Sequence, residues 1–246
     1  MTLPHASLAL LLILGFGLAT ASAQTPAPAP AASAVSDEVR KLLLEARDLR
    51  IKHAYTEALM KLDEAEKLAP QVPDIYAMRG DIYLAPRRRD FDLARPQFEK
   101  SVELQPASPL PKFNLGEYYF VKGEFSTALE HFTRLAADYP KLPMMVRHLV
   151  HYKRVLCELK LGHRPAAEQI IADNFTFMDD TPAYYFSKAA LAFDFGDVAK
   201  AQEWVQRGVA AFKGPACEPY YDAFKELRWV PDMDLGGAAE NQPKKK

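Results

Sequence analysis

The chain has 246 residues, of which 49% are hydrophobic and 26% charged, a composition that folds and excludes disorder throughout. Its 31 basic and 32 acidic residues give a formal net charge of -1, so no global field draws it to nucleic acid or anionic lipid. Two cysteines are too few for a disulfide framework.

The first segment differs in kind from the rest, because no Asp, Glu, Lys or Arg precedes Asp37. Leu8 to Ala19 reads LALLLILGFGLA, and Ala21-Ser22-Ala23 before Gln24 has the small-x-small form of a cleavage site. Residues 1–23 are therefore read as a signal peptide, although the stretch before the apolar run lacks Lys and Arg. The run is shorter than the roughly 20 residues that span a bilayer. Residues 24–36 alternate Pro with Ala and read as an extended linker. Periplasmic or secreted localisation follows, with no membrane span left after cleavage.

From Asp37 onward, apolar residues recur at three- and four-residue spacing and β-branched runs are scarce, which predicts helices joined by short turns. The punctuation is periodic. Pro70, Pro106 and Pro140 lie 36 and 34 residues apart, Ala46, Gly80 and Gly116 lie 34 and 36 apart, and Ala58, Ala94 and Ala128 repeat the spacing. The third unit reads Lys112-x2-Leu115-Gly116-x2-Tyr119, then Gly123, Ala128-x3-Phe132 and Pro140. The second reads Tyr76-x2-Arg79-Gly80-x2-Tyr83, then Ala94-x3-Phe98 and Pro106, with two residues inserted in Pro86-Arg87-Arg88-Arg89. The first, Leu42-x2-Glu45-Ala46-x2-Leu49, then Ala58-x3-Leu62 and Pro70, uses aliphatic substitutes. Two weaker units follow on Gly162 and Gly196, each five residues before an Ala (Ala167, Ala201), with Val155 and Ala189 at the small position of the first helix.

On these residues the chain resembles the tetratricopeptide repeat family, whose helix-turn-helix unit has about 34 residues. The resemblance implies an all-α, right-handed superhelical solenoid of about five such repeats over residues 37–231. Glu218 to Arg228, with Tyr220, Phe224 and Leu227 at helical spacing, reads as a capping helix. Residues 232–246 have too little apolar content to fold and are assigned to a disordered tail.

The family implies function too: the first helices line a concave groove that holds a peptide or a partner helix. The resemblance places Arg47, Arg50, Asp81 and Glu117 at its amino-terminal end. Phe113, Phe120, Tyr152, Phe186 and Phe193 fall at the other. The expected protein is a non-enzymatic scaffold of the cell envelope or secreted compartment that binds a protein or peptide, with no cofactor, no catalytic residue and no nucleic acid. Two conditions remain open at this stage. The capping helix can itself bury the aromatic end, and Cys157 and Cys217 can pair or serve as small buried hydrophobes. The alternative function is an accessory or metal-binding envelope protein using His148 and His151, three residues apart on a predicted helix, with His131 and His163 as further candidates.

Overall fold

The computed structural model describes residues 35–230. The predicted signal peptide, nearly all of the linker and the predicted tail lie outside the described residues. Among these there are eleven helices and no strand. They pair in order: α1 (Asp37–Ile51) with α2 (Tyr55–Leu68), α3 (Pro73–Leu84) with α4 (Phe91–Leu104), α5 (Pro109–Lys122) with α6 (Phe125–Asp138), α7 (Met144–Lys160) with α8 (Arg164–Asn174), and α9 (Ala183–Phe195) with α10 (Val198–Ala211). A last helix, α11 (Gly214–Glu226), follows. This is an all-α superhelical repeat fold.

The repeated prolines set three of the boundaries. α2, α4 and α6 each end two residues before Pro70, Pro106 and Pro140, with Ala69, Gln105 and Tyr139 leaving helical geometry between. A residue that precedes proline is pushed out of the helical region by the pyrrolidine ring. The amino termini use Ser36, Asp90 and Asp197, whose side chains accept from the backbone N–H of Val39, Leu93 and Lys200. Ser36, read from sequence as linker, is thus the cap of α1.

The two helices of a unit meet at its small residues. A Cβ added to Gly80 would lie 2.7 Å from the Phe98 ring, and one added to Gly116 would lie 2.8 Å from Phe132. Where the second helix carries a smaller residue, Leu62, Ile171 or Val205, the first helix carries Ala46, Val155 or Ala189. Size on one helix is exchanged for size on the other, as close packing requires. Val155 in the fourth unit is thereby accommodated, and it is fully buried.

A left-handed residue lies within the connection between the two helices of each unit. It is glycine in the last three, Gly123, Gly162 and Gly196. The first two use His53 (φ 59°) and Arg89 (φ 50°). The following N–H reaches back five residues, as from Glu124 to Tyr119 O at 2.9 Å and from Ala54 to Leu49 O at 2.9 Å. In the second unit Asp90 reaches seven residues back, to Tyr83 O at 2.9 Å. The two inserted residues are absorbed in that turn.

Contacts between successive units fix which side is inner. First helices touch one another, α1 with α3, α3 with α5 and α7 with α9, whereas successive second helices make no comparable contact. The second helices are spread on the outside of the curve, and the first helices form its concave face.

Candidate functional site: the concave face

The final helix lies on that concave face. α11 contacts α7 and α9, both first helices. The Tyr152 hydroxyl on α7 donates to the backbone carbonyl of Tyr220 at 2.9 Å, with the two rings 4.9 Å apart. On α9, Phe186 stacks on Phe224 at 5.8 Å. Phe193 meets Phe224 edge-on at 5.1 Å and stacks on Trp229 at 5.7 Å. Tyr152 and Phe186 are fully buried, and Phe120 and Phe193 nearly so. Aromatic side chains offer large contact area for little conformational entropy, and this chain's own helix uses it here.

The sequence-assigned groove residues therefore fall into two groups. Tyr152, Phe186 and Phe193 sit against α11. Phe113 packs within its own unit, 5.5 Å from Phe132, and Phe120 meets Phe125 edge-on at 5.6 Å with the Lys153 ammonium 4.4 Å from its centroid. Arg47 is exposed, and Arg50, Asp81 and Glu117 are half-buried. The open part of the face is the charged part.

Glu117 and Lys153 join α5 to α7 through a 2.7 Å ion pair in which the Lys153 side chain is 4% exposed. Burial of Glu117 raises its carboxyl above the usual range, against the opposing pull of Lys153. Asp81 on α3 is raised to about 6, again by burial, with Arg50 lowering it and Glu117 adding to the rise. A row of side chains from consecutive first helices, Arg50, Asp81, Glu117 and Lys153, thus runs along the concave face.

Beside this row is a cleft of about 850 Å³ between the ends of α1 and α3, the α3–α4 turn and the far end of α11. Arg50, Asp81, Arg87, Arg89, Asp222 and Glu226 are among its lining residues. Arg89 Nη2 pairs with Glu226 Oε2 at 2.5 Å, linking the second unit to α11 across 137 residues of sequence. Sequence reasoning missed Arg89, Glu226 and the cleft. The available signal was the inserted Pro86-Arg87-Arg88-Arg89, which broke an otherwise regular period.

The histidines are separately engaged. His148 is buried with Nδ1 2.8 Å from Thr181 Oγ1, and His151 Nδ1 lies 2.9 Å from Arg154 Nη1. His163 pairs with Glu158 at 2.9 Å and His131 stacks on Tyr119. Among the described residues no group of three or more His, Cys, Asp and Glu side chains converges as a metal site would require. Cys157 and Cys217 are both buried free thiols, so the two do not pair. Burial raises both, Cys217 to about 11. No described helix is long and apolar enough to cross a membrane.

Comparison with known proteins bears on the fold. A sequence profile of the tetratricopeptide repeat matches residues 85–143, which cover α4, α5 and α6 with their motif residues Ala94, Phe98, Gly116, Ala128 and Phe132. That segment is tetratricopeptide repeat, and the described residues have the fold of that family. Among solved structures it is similar to PilW, a widely conserved type IV pilus biogenesis factor, with 16% identity over 79% of this chain and 88% of that one and a TM-score of 0.58. A thermophilic tetratricopeptide repeat protein of Thermus thermophilus gives 19% identity, 77% and 99% coverage and a TM-score of 0.57. Pseudomonas aeruginosa pilF gives 12% identity, 78% and 86% coverage and a TM-score of 0.57. No curated protein matches the chain by sequence. At these identities the tetratricopeptide solenoids share its architecture, and the concave face must be read from its own residues.

Proposed function

We propose that the protein is a non-enzymatic scaffold of the cell envelope or secreted compartment that holds a segment of a partner protein along the open, charged half of its concave face. The observation that carries this reading is the division of that face. α11 fills the aromatic half, while Arg47, Arg50, Asp81 and the cleft beside them remain accessible. Compartment rests on the charge-free, apolar first 36 residues and the small-x-small site before Gln24. The scaffold role is the usual use of stacked helical repeats, whose first helices present an extended binding surface.

The test is cross-linked capture from intact cells with the tagged full chain, beside Arg47→Glu with Arg50→Glu on the inner face and Glu103→Lys on the outer face of α4. Recovery of one protein by wild type and Glu103→Lys, and its loss with the inner-face variant, is the expected result. Equal recovery by all three overturns the groove, and a cytosolic full-length chain overturns the compartment.

A further inference from the structure

Three departures from the repeat pattern converge on the same cleft. The two-residue insertion places Arg87 and Arg89 on it. The left-handed turn position, glycine in the last three units, is held in the first two by His53 and Arg89, and both line the cleft. The non-repeat helix α11 closes its far wall with Asp222 and Glu226. Left-handed backbone in a non-glycine residue persists only where the surroundings hold it, and such residues gather at functional sites.

The charges in the cleft are not fully matched. Glu226 takes one nitrogen of Arg89, and Asp222 pairs with Lys225 at 2.5 Å. Asp81 acts on Arg50 through space. After these pairings Arg50 Nε and Arg89 Nη1 are both out of contact with solvent and have no hydrogen-bond acceptor. Arg87 is exposed on the same wall. A buried guanidinium N–H without an acceptor is costly, and the group that fits a guanidinium fork best is a carboxylate, which accepts two N–H bonds in one plane.

We propose that this cleft is a carboxylate-binding site that takes an acidic side chain of the partner segment at Arg50 and Arg89. The assignment rests on the groove reading above and specifies the chemistry of its ligand. Asp81 reinforces it. At neutral pH its carboxylate opposes Arg50's charge, and protonation as pH falls through about 6 leaves Arg50 uncompensated while a partner carboxylate is still ionised. The other charged groups facing this space are Glu117 from α5, His53 and Arg87 from the turns, Arg89, and Asp222, Lys225 and Glu226 from α11.

The test is calorimetric titration of the full chain, at low salt, with the capped peptide acetyl-Gly-Glu-Ala-Glu-Gly-amide, its Gln counterpart and succinate. The Glu peptide is expected to bind at least about tenfold more tightly than the Gln peptide and than succinate, and more tightly at pH 5.5 than at pH 7.5. Arg50→Gln and Arg89→Gly are each expected to remove at least about tenfold of the Glu peptide's affinity. Glycine suits the left-handed turn, so Arg89→Gly keeps the test available if Arg50→Gln does not fold. Equal binding of the Glu and Gln peptides, wild-type affinity in folded variants, or no binding of the Glu peptide overturns the proposal. Succinate binding as tightly as the peptide overturns its partner-segment part. Captured partner that survives Arg50→Gln and Arg89→Gly would sink the carboxylate site alone, whereas loss of capture selectivity between inner and outer faces sinks the groove.

Discussion

The ring of Phe132 occupies the space that a side chain at Gly116 would need: an added Cβ there would come within 2.8 Å of it. The same pairing recurs between Phe98 and Gly80 at 2.7 Å. Gly116→Val should therefore destabilise by overpacking, by about 1–3 kcal/mol. Gly116→Val combined with Phe132→Ile should recover part of the loss, because Val155 and Ile171 hold the corresponding positions in the fourth unit and are both buried. Urea melts of the two single variants and the double variant check this through the coupling energy. Additive losses would show that the two residues do not share one space.

The left-handed turn residues predict two effects of unequal size. His53→Gly should stabilise by about 1 kcal/mol, since glycine carries no Cβ penalty at positive φ and the His53 contact given up, 2.9 Å to the Tyr55 hydroxyl, is exposed. Arg89→Gly relieves the same strain but also removes the 2.5 Å pair with Glu226, so its thermal midpoint should rise less than that of His53→Gly. Thermal melts compare them directly.

Acid response should divide between two half-buried groups. His151 is lowered to about 4, first by burial and then by Arg154, whose N–H its neutral ring accepts. Because its folded value lies below the unfolded one, its contribution is intact above about 6.5 and is lost as pH falls toward 4. Asp81 runs the other way. Its folded value of about 6 lies above the unfolded one, so the native state is weakened above pH 6 and recovers as pH falls toward 4. His151→Gln should remove about 1–3 kcal/mol of acid-induced loss, and Asp81→Asn should raise stability on the order of 1–2 kcal/mol at pH 7 with no gain at pH 4. Denaturant midpoints at the two pH values check both signs.

The repeat was legible because its determinants are local and periodic. Pro70, Pro106 and Pro140 stop helices, and Gly80 and Gly116 mark the helix crossings, each recognisable within a few residues of chain. Val155 looked like a failed motif only because its compensating partner, Ile171, lies on the next helix. The groove's content was not legible in this way. Tyr152 and Tyr220 are 68 residues apart, and Arg89 and Glu226 are 137 apart. No periodicity encodes the path by which α11 returns across the concave face. A capping helix and a groove-filling helix also present the same Tyr220 and Phe224 spacing, so the sequence pattern alone could not divide an open half from a filled one.

The central claim is that α11 fills the aromatic half of the concave face, and ring contacts in solution test it most directly. Nuclear Overhauser spectra of the full chain, with Phe and Tyr selectively labelled in a deuterated background, should show cross-peaks between the rings of Tyr152 and Tyr220 and between Phe193 and Phe224, whose centroids lie 4.9 and 5.1 Å apart. Absence of both, with Tyr220 and Phe224 resonating as solvent-exposed rings, would contradict the account and leave the whole concave face open to a partner.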